Sequence, residues 1–139
     1  MPKTQDEIEA FVAQVLDVPA HRAQALKALF VADGEARFEF VAGPAAFAPS
    51  GAVHGGVIAM LLEPTAVCAL YTILPPDRVA VTADMHVQHL RPIRPHARVE
   101  LFARVTRLGN ALAFCEASAS DEGKICSLAR LTKAVVKTG

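Results

Sequence analysis

The sequence predicts an α+β fold: an antiparallel β-sheet wrapped around one long central helix, with a short helix ahead of it. Three observations carry that expectation. The stretch from Gly55 to Leu74 is almost continuously apolar, the mark of a helix covered on most sides. Around it the chain alternates apolar and polar residues, with a strand pair before the helix and four strands after it. The chain has 139 residues, 53% of them apolar, and a formal net charge of zero, which suits a single domain (residues 1–139) with a real core. Folding the sheet around the helix satisfies both patterns at once.

Each element has its own signal. Thr4-Gln5-Asp6-Glu7 has the spacing of a capping box and precedes an apolar stripe of Ile8, Phe11, Val12, Val15 and Leu16, so a leading helix is expected. Pro19 ends it, and Ala20 to Gln24 reads equally as loop or as a further helical turn, making residues 1–22 a leading helix and connection. Leu26 to Ala32 and Glu35 to Val41 flank Asp33-Gly34, a dipeptide suited to a two-residue hairpin turn. Gly43 to Ser50 is a loop that delivers the chain to the central helix. Pro75-Pro76-Asp77 breaks that helix, and from Arg78 the period is two. In this strand Val79, Val81, Ala83, Met85 and Val87 are expected to pack, leaving Ala80, Thr82, Asp84, His86 and Gln88 on the other face. Arg91 to Pro95 interrupts the sheet. Arg98 to Leu108, a turn at Gly109-Asn110, Ala111 to Ser120, a turn at Asp121 to Lys124, and a final strand from Ile125 to Val136 complete it.

Composition narrows the function classes. A neutral chain without a basic patch gives no reason to expect nucleic acid as partner. The first residues carry no apolar export segment, so a cytoplasmic location is the expectation. Cys68, Cys115 and Cys126 stand apart in apolar or strand contexts and read as reduced, buried thiols. The apolar run could cover a bilayer, but Glu63 and Pro64 fall near its middle and the flanks lack basic or aromatic anchors, so no membrane span is expected. No metal site is expected either: His86 and His89, three apart on a strand, face opposite sides, and the other histidines are distant. Motifs of serine hydrolases, kinases and dehydrogenases are absent. A sheet with one helix leaves open edges, so at least a dimer is expected, with a site that two chains can share.

The chemistry concentrates around the central helix. His54 at its mouth and Glu63 near its middle are the ionisable groups of the apolar run. A carboxylate in apolar surroundings is costly and asks for a reason, and burial suits it to general-base work near neutral pH. Gly55 and Gly56 open the helix, where unpaired N–H groups and the positive end of the dipole can face a ligand oxygen. Glu63 lies nearly two turns further along the same face, so one substrate is expected to touch both.

These residues resemble the hotdog-fold acyl-CoA thioesterases, in the PaaI-like branch that includes phenylacetate-degradation and hydroxybenzoyl-CoA thioesterases. The resemblance runs from about Leu26 onward. It is most specific at Gly51-Ala52-Val53-His54-Gly55-Gly56 with Glu63 following, and is supported by Val81 to Met85, Leu90-Arg91-Pro92 and Gly109 to Phe114. It implies hydrolysis of an acyl-CoA or similar thioester, with Glu63 as base or nucleophile, the Gly55 N–H polarising the carbonyl, Thr82 helping to hold the water and His54 orienting the loop. It also implies a homodimer or dimer of dimers, and no cofactor beyond the CoA of the substrate. Arg91 and Arg94 suit the CoA phosphates, since guanidinium groups match phosphate oxygens. Two positions depart from the family pattern. Ala48 stands where an Asn or Gln is common, and Pro64 follows Glu63 directly. The alternatives are a non-catalytic acyl-CoA binding module and a hotdog enoyl-thioester hydratase or dehydratase.

Overall fold

The computed structural model describes residues 2–139. Helix α1 (Gln5–Leu16) begins on the expected capping box: Thr4 accepts from the Glu7 N–H while the Glu7 side chain accepts from the Thr4 N–H. A four-residue helix α2 (Pro19–Arg22) follows, settling the ambiguous segment: Pro19 opens a turn of helix, where its missing N–H costs nothing. Strands β1 (Lys27–Ala32) and β2 (Glu35–Val41) form the expected hairpin, with Asp33 and Gly34 both at positive φ (52° and 77°). The Gly34 N–H donates to the Thr72 hydroxyl at 2.7 Å, tying this hairpin to the far end of the central helix.

That helix, α3 (Gly55–Tyr71), runs through Pro64 without interruption. Strands β3 (Arg78–His89), β4 (Arg98–Leu108), β5 (Leu112–Asp121) and β6 (Lys124–Lys137) complete one six-stranded antiparallel sheet in the order β1-β2-β4-β5-β6-β3. The β4–β5 connection differs from the tight turn expected at Gly109-Asn110. Neither residue takes positive φ, and the Gly109 N–H closes a longer loop onto the Leu112 carbonyl at 2.8 Å.

The core lies between α3 and the concave face of the sheet: Phe38, Phe40, Val99, Leu101 and Leu131 face Ile58, Leu61, Leu62 and Leu70. Aromatic and branched residues at alternate strand positions meet the helix, so the two periodicities in the sequence share one apolar layer. Enclosure is incomplete. Met60, Glu63, Val67 and Tyr71, spaced three or four apart, form a stripe of α3 that the sheet only partly covers. Beside that stripe lies β3, a twelve-residue strand hydrogen-bonded on one side only.

The alternation expected for β3 holds over only half of it. Met85 and Val87 pack on the core as expected, but so does Ala80, whereas Val79 and Val81 are 44% and 56% exposed. A β-bulge is the cause. Thr82 pairs with Lys133 and Asp84 with Thr132, leaving Ala83 as the extra residue, and one extra residue exchanges the faces of everything beyond it. The bulge sits beside the site.

Candidate functional site

The mouth of α3 is built from backbone. Residues 47–53 form a small loop closed by the Phe47–Val53 bridge and by the Ala48 N–H on the Ala52 carbonyl at 2.7 Å. The His54 N–H then donates to the Ala46 carbonyl at 2.7 Å, which holds the loop against the helix start. His54 is the N-cap: its Nδ1 accepts the Gly56 N–H at 2.8 Å, so the ring proton sits on Nε2. This fixes the His54 ring against the helix start and consumes one of the two donors expected to face a ligand. Gly56 binds the histidine ring; the Gly55 N–H is the donor left without a partner among the described residues.

Gly55 faces a cavity of about 360 Å³, lined also by Ile58, His89, Arg91 and Ser127. His89 Nδ1 lies 2.8 Å from the Ser127 hydroxyl, and its Nε2 side presses on Gly55, where a Cβ would stand 2.8 Å from Nε2. A side chain at this position would have to displace that ring. Arg91 carries no ion pair among the described residues and remains available to an anionic ligand. Arg94 does not: its guanidinium forks onto Asp121 (Nε–Oδ2 2.8 Å, Nη2–Oδ1 2.9 Å) and reaches Glu122 at 3.2 Å. The bond from Arg94 holds the Asp121 carboxyl below the usual carboxylate range. Arg94 thus clamps the β5–β6 turn while its side chain stays 61% exposed.

Glu63 lies elsewhere. Eight residues of α-helix separate it from Gly55, a rise of about 12 Å, so within one chain a single carbonyl cannot meet both. An extended ligand can still reach both groups, but sharing a face does not bring them to one atom. Nor is the carboxylate isolated. Oε1 of Glu63 accepts from the Thr82 hydroxyl at 2.5 Å and from the Lys133 ammonium, and Lys133 Nζ also donates to Thr82 Oγ1 at 2.7 Å. The Lys133 side chain is 1% exposed and that of Glu63 34%. Thr82 spends its one proton on Glu63, so what it offers a water is a lone pair. Oε2 of Glu63 makes no hydrogen bond among the described residues and is the oxygen left for chemistry.

Two groups escaped sequence reasoning. The sequence motifs give His89 no role beyond the metal pairing already set aside, and give Lys133 none. For Lys133 a signal existed. Ala129, Leu131, Lys133 and Val135 alternate on β6, and all four are buried, so a lysine stood on an inward-facing parity where it must have a partner. Among the described residues no group of three or more His, Cys, Asp or Glu side chains could hold a metal ion, and no helix is long and apolar enough to cross a membrane.

Comparison with known proteins agrees with this architecture. The family model described as the thioesterase superfamily matches residues 50–127, the segment from the helix mouth into β6. A Haemophilus influenzae protein named "Putative esterase" is 32% identical over 89 residues, which make up 63% of this chain and 64% of that protein, so the match spans just under two thirds of the relative's length. A glutamine-to-alanine mutant of a Pseudomonas aeruginosa thioesterase superposes with a TM-score of 0.87 at 24% identity, over 99% of each chain, which establishes the hotdog fold. The phenylacetic acid degradation protein PaaI of Thermus thermophilus, as a point mutant, reaches a TM-score of 0.77 at 28% identity, covering 84% of this chain and 97% of that one.

Proposed function

The chain belongs to the thioesterase superfamily, and we propose that it hydrolyses an acyl-CoA or related acyl thioester to the free acid and the thiol, at a site assembled from two copies of the chain. The observation that carries this reading is the Glu63 carboxylate. One oxygen is held by Thr82 and Lys133, and the other is free on a partly exposed stripe of α3. The free oxygen either takes a proton from water as the water attacks the thioester carbonyl or attacks that carbon itself. In both routes negative charge develops on the carbonyl oxygen, where a fixed N–H donor is worth about 10²–10³ in rate. The Gly55 N–H, aided by the dipole of α3, is that donor. Collapse of the tetrahedral species expels the thiolate. In the general-base route this frees the acid at once and Glu63 returns the proton it took; in the nucleophilic route water then hydrolyses the anhydride left on Glu63 to the free acid.

Because Gly55 and Glu63 stand about 12 Å apart along one helix, the working pair draws Gly55 from one copy and Glu63 from the other. The unpaired edge of β3 and the partly covered stripe of α3 lie side by side and would be covered together when a second copy docks antiparallel. The exposed apolar side chains Phe114 and Leu128 suit a further pairing of dimers. In such a site Arg91, at the cavity beside Gly55, would meet the CoA phosphates and His54 would hold the donor loop. The substrate brings the CoA; no further cofactor is required. A cytoplasmic location fits a substrate of this kind.

A panel of aliphatic and aromatic acyl-CoAs with a free-thiol readout tests the reading. Thiol release by the wild-type protein, lost in Glu63→Ala while acyl-CoA binding persists, supports it. Binding without release in the wild type favours the binding-module alternative, and hydration of an enoyl-CoA without thiol release favours the hydratase alternative.

A further inference from the structure

Among the described residues Lys133 is the one buried ammonium, and its partners are both residues of the proposed site. Burying a lysine costs several kcal/mol unless it is paired, and an apolar residue would continue the run of Ala129, Leu131 and Val135 on the inward face of β6 without that cost. Its place is set by the sheet. Lys133 pairs with Thr82 of β3 at the bulge, so the extra residue Ala83 brings the threonine hydroxyl and the ammonium to the same oxygen of Glu63.

We propose that Lys133 is a positioning residue for hydrolysis: with Thr82 it locks Oε1 of Glu63, fixes rotation of the carboxylate, and leaves Oε2 as the one oxygen aimed at the reacting carbonyl or water. This inference rests on the thioesterase reading above. A carboxylate on a three-bond stem otherwise exchanges its two oxygens and turns freely, and displacement of a reacting group by about 1 Å costs ~10²-fold in rate. Two hydrogen bonds on one oxygen, the lysine charge-assisted, remove that freedom. The role requires a charge at the end of a chain of fixed length, so it is separable from packing. Methionine restores the volume without the charge; alanine leaves a cavity of the size of the deleted propylammonium end, which a small alkylammonium ion can fill.

The experiment compares thiol release by wild type, Lys133→Met and Lys133→Ala, the last with and without n-propylamine or n-butanol, and folding is checked by circular dichroism. The expected result is a fall in kcat of ~10² in both variants with KM within ~3-fold. Propylamine should restore the alanine variant ~10-fold or more, and butanol should not. A methionine variant with near wild-type kcat, or rescue by the alcohol as well as by the amine, overturns the positioning role and leaves the thioesterase reading standing. Should Lys133→Met fail to fold, amine against alcohol in Lys133→Ala still decides. Absence of thiol release by the wild type overturns the thioesterase reading and this role together.

Discussion

Lys133 and Glu63 are 70 residues apart in the chain and in contact in the fold, the ammonium 1% exposed and the carboxylate 34%. The pair joins the last strand to the central helix across the threonine of β3, so it is a stability element as well as part of the proposed site.

Removing one member leaves the other exposed to an unfavourable environment. Glu63→Gln strands the Lys133 ammonium, 1% exposed, and is expected to cost about 3–5 kcal/mol, more than the reverse change, because the carboxylate that Lys133→Met leaves behind is a third exposed. Lys133→Met also destabilises, by stranding the carboxylate. The double variant should be more stable than the sum of the two single losses by about 1 kcal/mol or more, as urea unfolding of all four proteins would show. Strict additivity would mean that the two groups do not interact.

At the other end of the helix, Gly55→Ala places a methyl group 2.8 Å from His89 Nε2, and the ring is held from behind by Ser127. The expected cost is about 1–3 kcal/mol, as for overpacking in general. Thiol release should fall ~10²-fold because the N–H donor shifts with the ring. Adding His89→Ala should recover the stability. A single variant with unchanged melting temperature would show that the ring yields freely.

Asp121 supplies the acid sensitivity. Its carboxyl is held below the ordinary value by the Arg94 fork, so the folded state favours the ionised form. The stability this adds is present above the carboxylate pKa of the unfolded chain, about 3.9, and is lost as pH falls through the lower value in the folded protein. The difference in unfolding free energy between wild type and Asp121→Asn should therefore shrink on acidification below about pH 4. A difference that does not change with pH would remove the clamp from the account.

Burial pushes the Cys68 thiol up to about 12 and the Cys115 thiol up to about 11. Both should resist iodoacetamide at pH 8 in the native protein and react after denaturation, with mass spectrometry locating the label. Native labelling at either position would show that the core opens there.

The strands, the central helix and the first capping box were legible because each rests on a local pattern. Alternation, an apolar run, an Asp-Gly turn and a Thr-x-x-Glu box announce themselves within a dozen residues. Glu63 stood out for the same reason, as a charge in an apolar run. The two faces of β3 were half legible. A bulge is a two-strand property, and nothing in Val79 to Val87 alone marks Ala83 as the residue without a partner.

By itself the sequence determined the fold class and the order of elements, since hydrophobic period and turn chemistry act over short chain distances. It singled out His54 and Glu63 as charges in an apolar run and Gly55 at the helix start, while Thr82 rested on the family resemblance alone. Only the tertiary structure decided which groups meet. It joined Lys133 to Glu63, set His89 against Gly55, took Arg94 for Asp121 and Gly56 for His54, and separated Gly55 from Glu63 along one helix. The physical reason is that side-chain pairing depends on strand register and axial rise, which combine residues far apart in the chain. A one-residue bulge is enough to change the outcome.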